Sequence, residues 1–346
     1  MAERIGWDQA LSLARSGARE DPMRLGELAD QVRRARHGNR ATFIHNLQIN
    51  PSNVCVRDCA FCGFAALPGE PGGYSLDEED ILGEIAASGA AEVHIVGGLN
   101  REWDFNRSLG LIARIRRAFP QLHIKAFTAV EIDWFACQSE IPVREVLESL
   151  KQTGLDCIPG GGAEIFSERI RKRLFPRKIG ADRWLEIHET AHRLGIPSNA
   201  TLLHGLGETP EERLGHLFRL RELQDRTGGF VSFVPLALQT GAAGGRESTM
   251  GPLDDLVMIA LSRLVLDNIP HIKAYWPMLG LSTAAVALGW GADDLDGTLG
   301  LEKVAHASGA DTPRALAAGE MVRLIREAGY EPQERNGSYQ WVTRSA

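Results

Sequence analysis

Residues Phe43 to Phe64 read FIHNLQINPSNVCVRDCAFCGF: a short β-rich run, then a loop that packs Cys55, Cys59 and Cys62 into eight residues. From about residue 42 the chain repeats the opening of this unit, alternating β-rich runs with helical patterns, as successive βα units around a parallel sheet do. Strands are expected at 43–50, 92–98, 123–129, 156–161, 198–205, 230–238, 271–276 and, more faintly, 293–299. Eight such runs predict an α/β fold of the TIM-type (β/α)8 barrel class, with a doubly wound open sheet as the rival because the last run is weak. The cysteine loop then falls at the C-terminal end of the first strand, where barrels carry their active sites.

The flanking grammar agrees. Val143, Val146, Leu147 and Leu150 share one helical face, and Gly154 follows as a stop. Ser75 with Glu78 and Thr209 with Glu212 both have capping-box spacing, the second with Pro210 at the first helical position. Residues 1–40 read as a helical extension, 41–310 as the barrel, and 311–346 as a C-terminal helix (311–330) and tail packed on it. HIKA occurs at 123–126 and 271–274, too short a match to establish a duplicated half.

Composition narrows the class of function. An apolar content of 44% supplies a full core, and 45 acidic against 38 basic residues, without a long basic run, argue against nucleic acid as a partner. The opening MAERIGWDQA lacks an apolar signal core, and no run of about 18 apolar residues occurs, so no membrane association and a cytoplasmic location are expected. Five cysteines in a reducing compartment make a poor disulfide framework and point instead to metal binding or catalysis. A structural zinc site closes with four ligands, and so does an electron-carrying cluster. Cys137 and Cys157 stand singly in apolar or glycine-rich surroundings and read as inert thiols. Three thiolates therefore suit a 4Fe-4S cluster with one iron left open for a small molecule, while a zinc-binding or electron-transfer protein stays the non-enzymatic alternative.

The spacing C-x3-C-x2-C, with Phe61 between the last two cysteines, resembles the signature of the radical S-adenosylmethionine (SAM) superfamily. The resemblance implies that Cys55, Cys59 and Cys62 hold the cluster and that SAM is a co-substrate. It further implies that Gly97 and Gly98 approach its amino group, Glu164 after Gly160-Gly161-Gly162 holds its ribose, and Phe61 neighbours its adenine. From residue 40 onward, HIKAFTAVEI, PGGGAEIF, LDNIPHIKAYWPMLG and GADDLDGT are similar to the aminofutalosine synthase family within that superfamily. That likeness implies addition of the 5′-deoxyadenosyl radical to 3-[(1-carboxyvinyl)oxy]benzoate, with a low-potential donor such as flavodoxin or ferredoxin. Dehypoxanthine futalosine cyclase and the deazaflavin-forming synthases are the enzymatic alternatives.

A substrate with two carboxylates on an aromatic body needs cationic or hydrogen-bonding groups between apolar walls. In HIKAYW the two-residue period puts His271, Lys273 and Tyr275 on one face, and His123 and Lys125 repeat the device. A lysine facing a barrel interior needs a partner, so pairing with internal carboxylates is the competing role. Asn199, His204 and Asn100 complete the expected substrate set; Asn100 stands where relatives carry His, and cannot shuttle a proton as His does. His188, His192 and His216 are expected on the surface or between helices, and 239–250 as a mobile loop over the barrel mouth.

Overall fold

The structure, a computed structural model, describes residues 4–17, 20–239, 250–298, 300 and 302–342; the expected loop at 239–250 lies almost wholly outside them. Strands β1 (Arg40–Ile44) and β2 (Asn46–Ile49) form one extended run broken at His45. β2 pairs with β3 (Glu92–Ile95), and β3 with β4 (His123–Ala126). Single parallel bridges, Lys125 to Cys157 and Ile158 to Ser198, carry the sheet on to β5 (Ser198–His204). β5 pairs with β6 (Phe230–Ala237), β6 with β7 (His271–Ile272), and Lys273 bridges to Asp294 in β8 (Asp294–Gly297). β8 returns to β1 at Thr42 and Ile44, all in parallel register. A doubly wound sheet keeps two free edges; this one closes, so the faint eighth run completes a TIM-type barrel.

One strand was not expected. β9 (Glu331–Arg335) pairs with β1 residue for residue, from Arg40↔Glu331 to Ile44↔Arg335. Its sequence, EPQER, has a proline and charges in place of apolar alternation, so the tail carries no strand signal. A turn then folds Trp341 back antiparallel on Arg335.

Helices cover the outside as the pattern predicts. Val143–Thr153 buries Val143, Val146, Leu147 and Leu150 and ends at Gly154 with φ 118°. Thr209 caps the helix Pro210–Thr227 in a reciprocal box with Glu212. Ser75 does not cap: its helix starts at Glu78 behind Asp77, and its hydroxyl accepts from the Trp103 indole instead. His188 and His216 are fully buried, not on the surface. His188 Nδ1 lies 2.8 Å from Ser198 Oγ, and His216 Nε2 bonds the Thr201 carbonyl at 2.9 Å, so both tie helices to β5. Besides the main core, a smaller cluster of Ile165, Ile170, Leu174, Phe175, Leu203 and Leu206 packs against Cys59 and Phe61 and so seats the cysteine loop.

Candidate active site

Backbone bonds hold the cysteine loop from three sides. Cys55 N donates to Ala66 O (2.8 Å), Val56 N to Leu99 O (3.1 Å) and Ala60 N to Leu174 O (2.8 Å). The three thiols are half-buried and line one cavity of about 330 Å³ at the barrel mouth. Among the described residues, His37, His271 and Asp293 are the set whose ligand atoms close within 4.8 Å of one another. Three thiols from one short loop on one cavity suit a cluster with iron at separate corners. Burial pushes the Cys59 thiol up to about 11 and raises Cys62 too. Such thiols ionise only beside cationic metal, which a cluster supplies. The donor set therefore fits a 4Fe-4S cluster.

Gly97 and Gly98 pass directly behind the loop. A Cβ on Gly98 would lie 2.2 Å from the Val54 carbonyl oxygen, and one on Gly97 3.1 Å from that of Ser52. Gly97 N donates to Glu131 Oε1 (3.0 Å), while Thr128 N and Oγ1 donate to Oε2 (2.8 and 2.7 Å). Burial pushes Glu131 up to about 7 against these three donors. Glu164, at a left-handed φ of 49°, pairs with Lys178, whose ammonium also sits 5.5 Å from the Phe61 ring centroid. Phe61 meets Phe175 edge-on at 5.7 Å.

Deeper in the cavity the barrel strands supply polar groups. Lys125 Nζ bonds Glu92 Oε1 at 2.6 Å and Lys273 Nζ bonds Asp296 Oδ1 at 2.5 Å, so both lysines have internal partners. Burial alone would raise Glu92, but Lys125 and the cations around it hold it well below the usual carboxylate range. Asn199 lines the same space, its Oδ1 accepting from Ser232, and so does Tyr275. Val96, Leu99, Val130, Leu203, Val234 and Leu236 form apolar walls.

Three expected residues lie elsewhere. Asn100 is buried behind the Gly97–Gly98 turn, donating to Ser52 Oγ (3.0 Å) and accepting from Glu102 N (3.0 Å). His204 points away from the cavity toward Asp255 (3.6 Å). His271 shares a face with Lys273 but sits at the opposite end of the barrel, 2.6 Å from Asp293 and stacked on Tyr339. A two-residue period assigns a face and not a height, and two residues of strand span about 6.6 Å.

Gln48, His94, Thr201, Glu131, Lys178 and Asp296 also line the cavity and were not expected. The signal for Gln48 and His94 was present: each is the polar position between apolar neighbours in a barrel strand, Leu47 and Ile49 in one and Val93 and Ile95 in the other. Burial pushes His94 down to about 3, leaving it neutral. Lys178 and Asp296 had no such signal, since loop geometry brings one in and a left-handed φ of 65° turns the other.

Comparison with known proteins accords with this geometry. The Radical SAM superfamily model matches residues 49–220 and the CofH/MqnC C-terminal region matches 227–346. The chain is 43% identical to an aminodeoxyfutalosine synthase of Thermus thermophilus, covering 98% of this chain and 93% of that one. It is 37% identical to a 5-amino-6-(D-ribitylamino)uracil–L-tyrosine 4-hydroxyphenyl transferase of Methanopyrus kandleri, covering 99% and 95%. In fold it is similar to methylornithine synthase (PylB), with a TM-score of 0.78 at 19% identity over 96% and 95% of the two chains. With near full-length relatives at this identity and a cysteine loop that fits the motif at 55, 59 and 62, the chain belongs to the radical SAM superfamily, whose 4Fe-4S cluster and SAM are its cofactors.

Proposed function

We propose that this enzyme is a transferase that joins the 5′-deoxyadenosyl group of SAM to 3-[(1-carboxyvinyl)oxy]benzoate. The products are 6-amino-6-deoxyfutalosine, methionine and bicarbonate, in menaquinone biosynthesis. The observation that carries this reading is the 43% identity, over 98% of the chain, to an aminodeoxyfutalosine synthase. When bound, the cluster supplies the electron that splits SAM into methionine and the 5′-deoxyadenosyl radical. The adenosyl C5′ would bond to the enolpyruvyl methylene and the aryl ring would migrate from oxygen to carbon; the side-chain carboxylate, with water consumed, would then leave as bicarbonate and a proton as the radical's one electron returns to the cluster.

In this reading Cys55, Cys59 and Cys62 hold three irons and leave the fourth to the methionine end of SAM. Backbone at Gly97 and Gly98 meets its amino group, Glu164 with Lys178 takes the ribose, and Phe61 flanks the adenine. Lys125 and Lys273 receive the substrate carboxylates. Each ammonium has three donors and spends one on its internal carboxylate, so each keeps donors for a ligand. Asn199 and Tyr275 add hydrogen bonds, and the apolar walls hold the ring. Asn100, His204 and His271 fall out of the substrate set. A donor of flavodoxin or ferredoxin type delivers the electron.

The 37% identity to the tyrosine 4-hydroxyphenyl transferase favours one second reading, in which the radical abstracts hydrogen and leaves as 5′-deoxyadenosine. Anaerobic incubation of the reconstituted enzyme with reductant, SAM and the enolpyruvyl benzoate separates the two. The transferase yields one product whose mass contains both adenosine and the aromatic ring; free 5′-deoxyadenosine beside intact benzoate overturns it, and the second reading then requires 5′-deoxyadenosine formation that depends on added tyrosine and 5-amino-6-(D-ribitylamino)uracil.

A further inference from the structure

Below the cavity, where β9 closes on the barrel, six ionic groups meet. Glu92 and Lys125 form one pair, Asp296 and Lys273 another. Arg335, the last residue of β9, completes the set: its Nε bonds Asp294 Oδ2 at 2.5 Å and its Nη2 lies 3.8 Å from Asp296 Oδ1. Arg335 and Asp294 are 1% and 0% exposed and do not line the cavity, whereas Lys125, Lys273 and Asp296 do. The Arg335 Nη2 has no hydrogen-bond partner of its own, and the guanidinium packs 4.0 Å from the Tyr339 ring centroid. His94 and His123, both pushed down by burial, add no charge at neutral pH.

The signs decide what this arrangement does. Three carboxylates, Glu92, Asp294 and Asp296, face three cations, Lys125, Lys273 and Arg335. Without Arg335 the same floor holds three carboxylates and two ammoniums, a net negative charge buried beneath a cavity that has to accept an anion. In low-dielectric surroundings that charge is poorly screened. Asp296 would then be left to Lys273 alone, drawing that ammonium away from any ligand.

We infer that Arg335 is a positioning residue for substrate binding: from the C-terminal strand it neutralises Asp294 and Asp296, which leaves Lys273 free to meet a substrate carboxylate. The inference rests on the anionic substrate of the proposed function, but it concerns binding and not turnover.

The test compares the whole enzyme, cluster reconstituted, with Arg335→Gln and with the double variant Asp294→Asn/Arg335→Gln, which restores two carboxylates against two ammoniums. Anaerobic calorimetry measures the affinity for 3-[(1-carboxyvinyl)oxy]benzoate and for its dimethyl ester. One unit charge at roughly 10 Å in an effective dielectric of ~20 changes an anion's affinity about ten-fold. Arg335→Gln is therefore expected to weaken the dicarboxylate about ten-fold, and the double variant to recover most of that loss. The ester should bind equally to all three. A double variant no better than the single one, or equal losses for ester and acid, would mean that Arg335 only holds the tail in place and would overturn the inference. So would dicarboxylate affinity that is absent or unchanged throughout. Tight binding to the native enzyme without formation of the adenosyl adduct would instead count against the proposed function and leave the role of Arg335 standing.

Discussion

A single methyl group on Gly98 would sit 2.2 Å from the Val54 oxygen and 2.7 Å from the Val54 carbonyl carbon, both backbone atoms next to Cys55. Backbone cannot swing aside as a side chain does, so Gly98→Ala has to displace the cysteine loop. A displacement near 1 Å costs on the order of 100-fold in activity, and iron content per chain should fall with it. Gly97→Ala, at 3.1 Å from Ser52, should keep its iron. Asp255 gives a second residue-scale prediction. Burial, with Asp254 beside it, pushes its carboxyl up to about 7, so the fold holds a proton that the unfolded chain releases near pH 4. Stability contributed by the protonated form is thus lost as pH rises from about 4 to 7. Asp255→Asn should raise stability at pH 8 by roughly 1–3 kcal/mol and give no advantage near pH 4, as followed by denaturant titration at the two values. Neither effect was legible beforehand. The Gly97-Gly98 pair announced a close approach, but only the fold names Val54 as what it approaches, and only packing buries Asp255.

At the scale of elements, local patterns were legible wherever one residue's neighbours in sequence are also its partners. The box of Thr209 and Glu212 is such a case, and Thr209→Ala should cost about 1 kcal/mol of stability in thermal or denaturant unfolding while leaving the affinity for SAM unchanged. Ser75 with Glu78 has the same spacing, yet Trp103 from another part of the chain takes its hydroxyl. The strands show the same division. Alternation identified Lys125 and Lys273 as inward-facing and marks Gln48 and His94 in the same way, but it says nothing of height and so placed His271 at the wrong end of the barrel. Which polar residue reaches the mouth depends on strand tilt and stagger, properties of the closed barrel and not of any strand alone.

Over the whole molecule, the rhythm of βα units was enough to read a barrel, because eight strands of one direction repeated along the chain. Closure was harder to read: it depends on three short links, Lys125 to Cys157, Ile158 to Ser198 and Lys273 to Asp294, where strand pairing shrinks to single bridges. β9 was invisible, since a short strand at the barrel's base, paired with β1 on one side and bridged only to Trp341 on the other, needs no apolar alternation. It nevertheless brings Arg335 beneath the cavity, so the end of the chain and its cysteine loop act on one substrate space from opposite sides. The central claim, that the adenosyl group of SAM ends in the product, is tested most directly with SAM deuterated at C5′. Anaerobic turnover with the enolpyruvyl benzoate should place the label in a single species that also contains the aromatic ring, with unlabelled methionine released beside it. Label recovered as free 5′-deoxyadenosine, with the benzoate unchanged, would contradict the account.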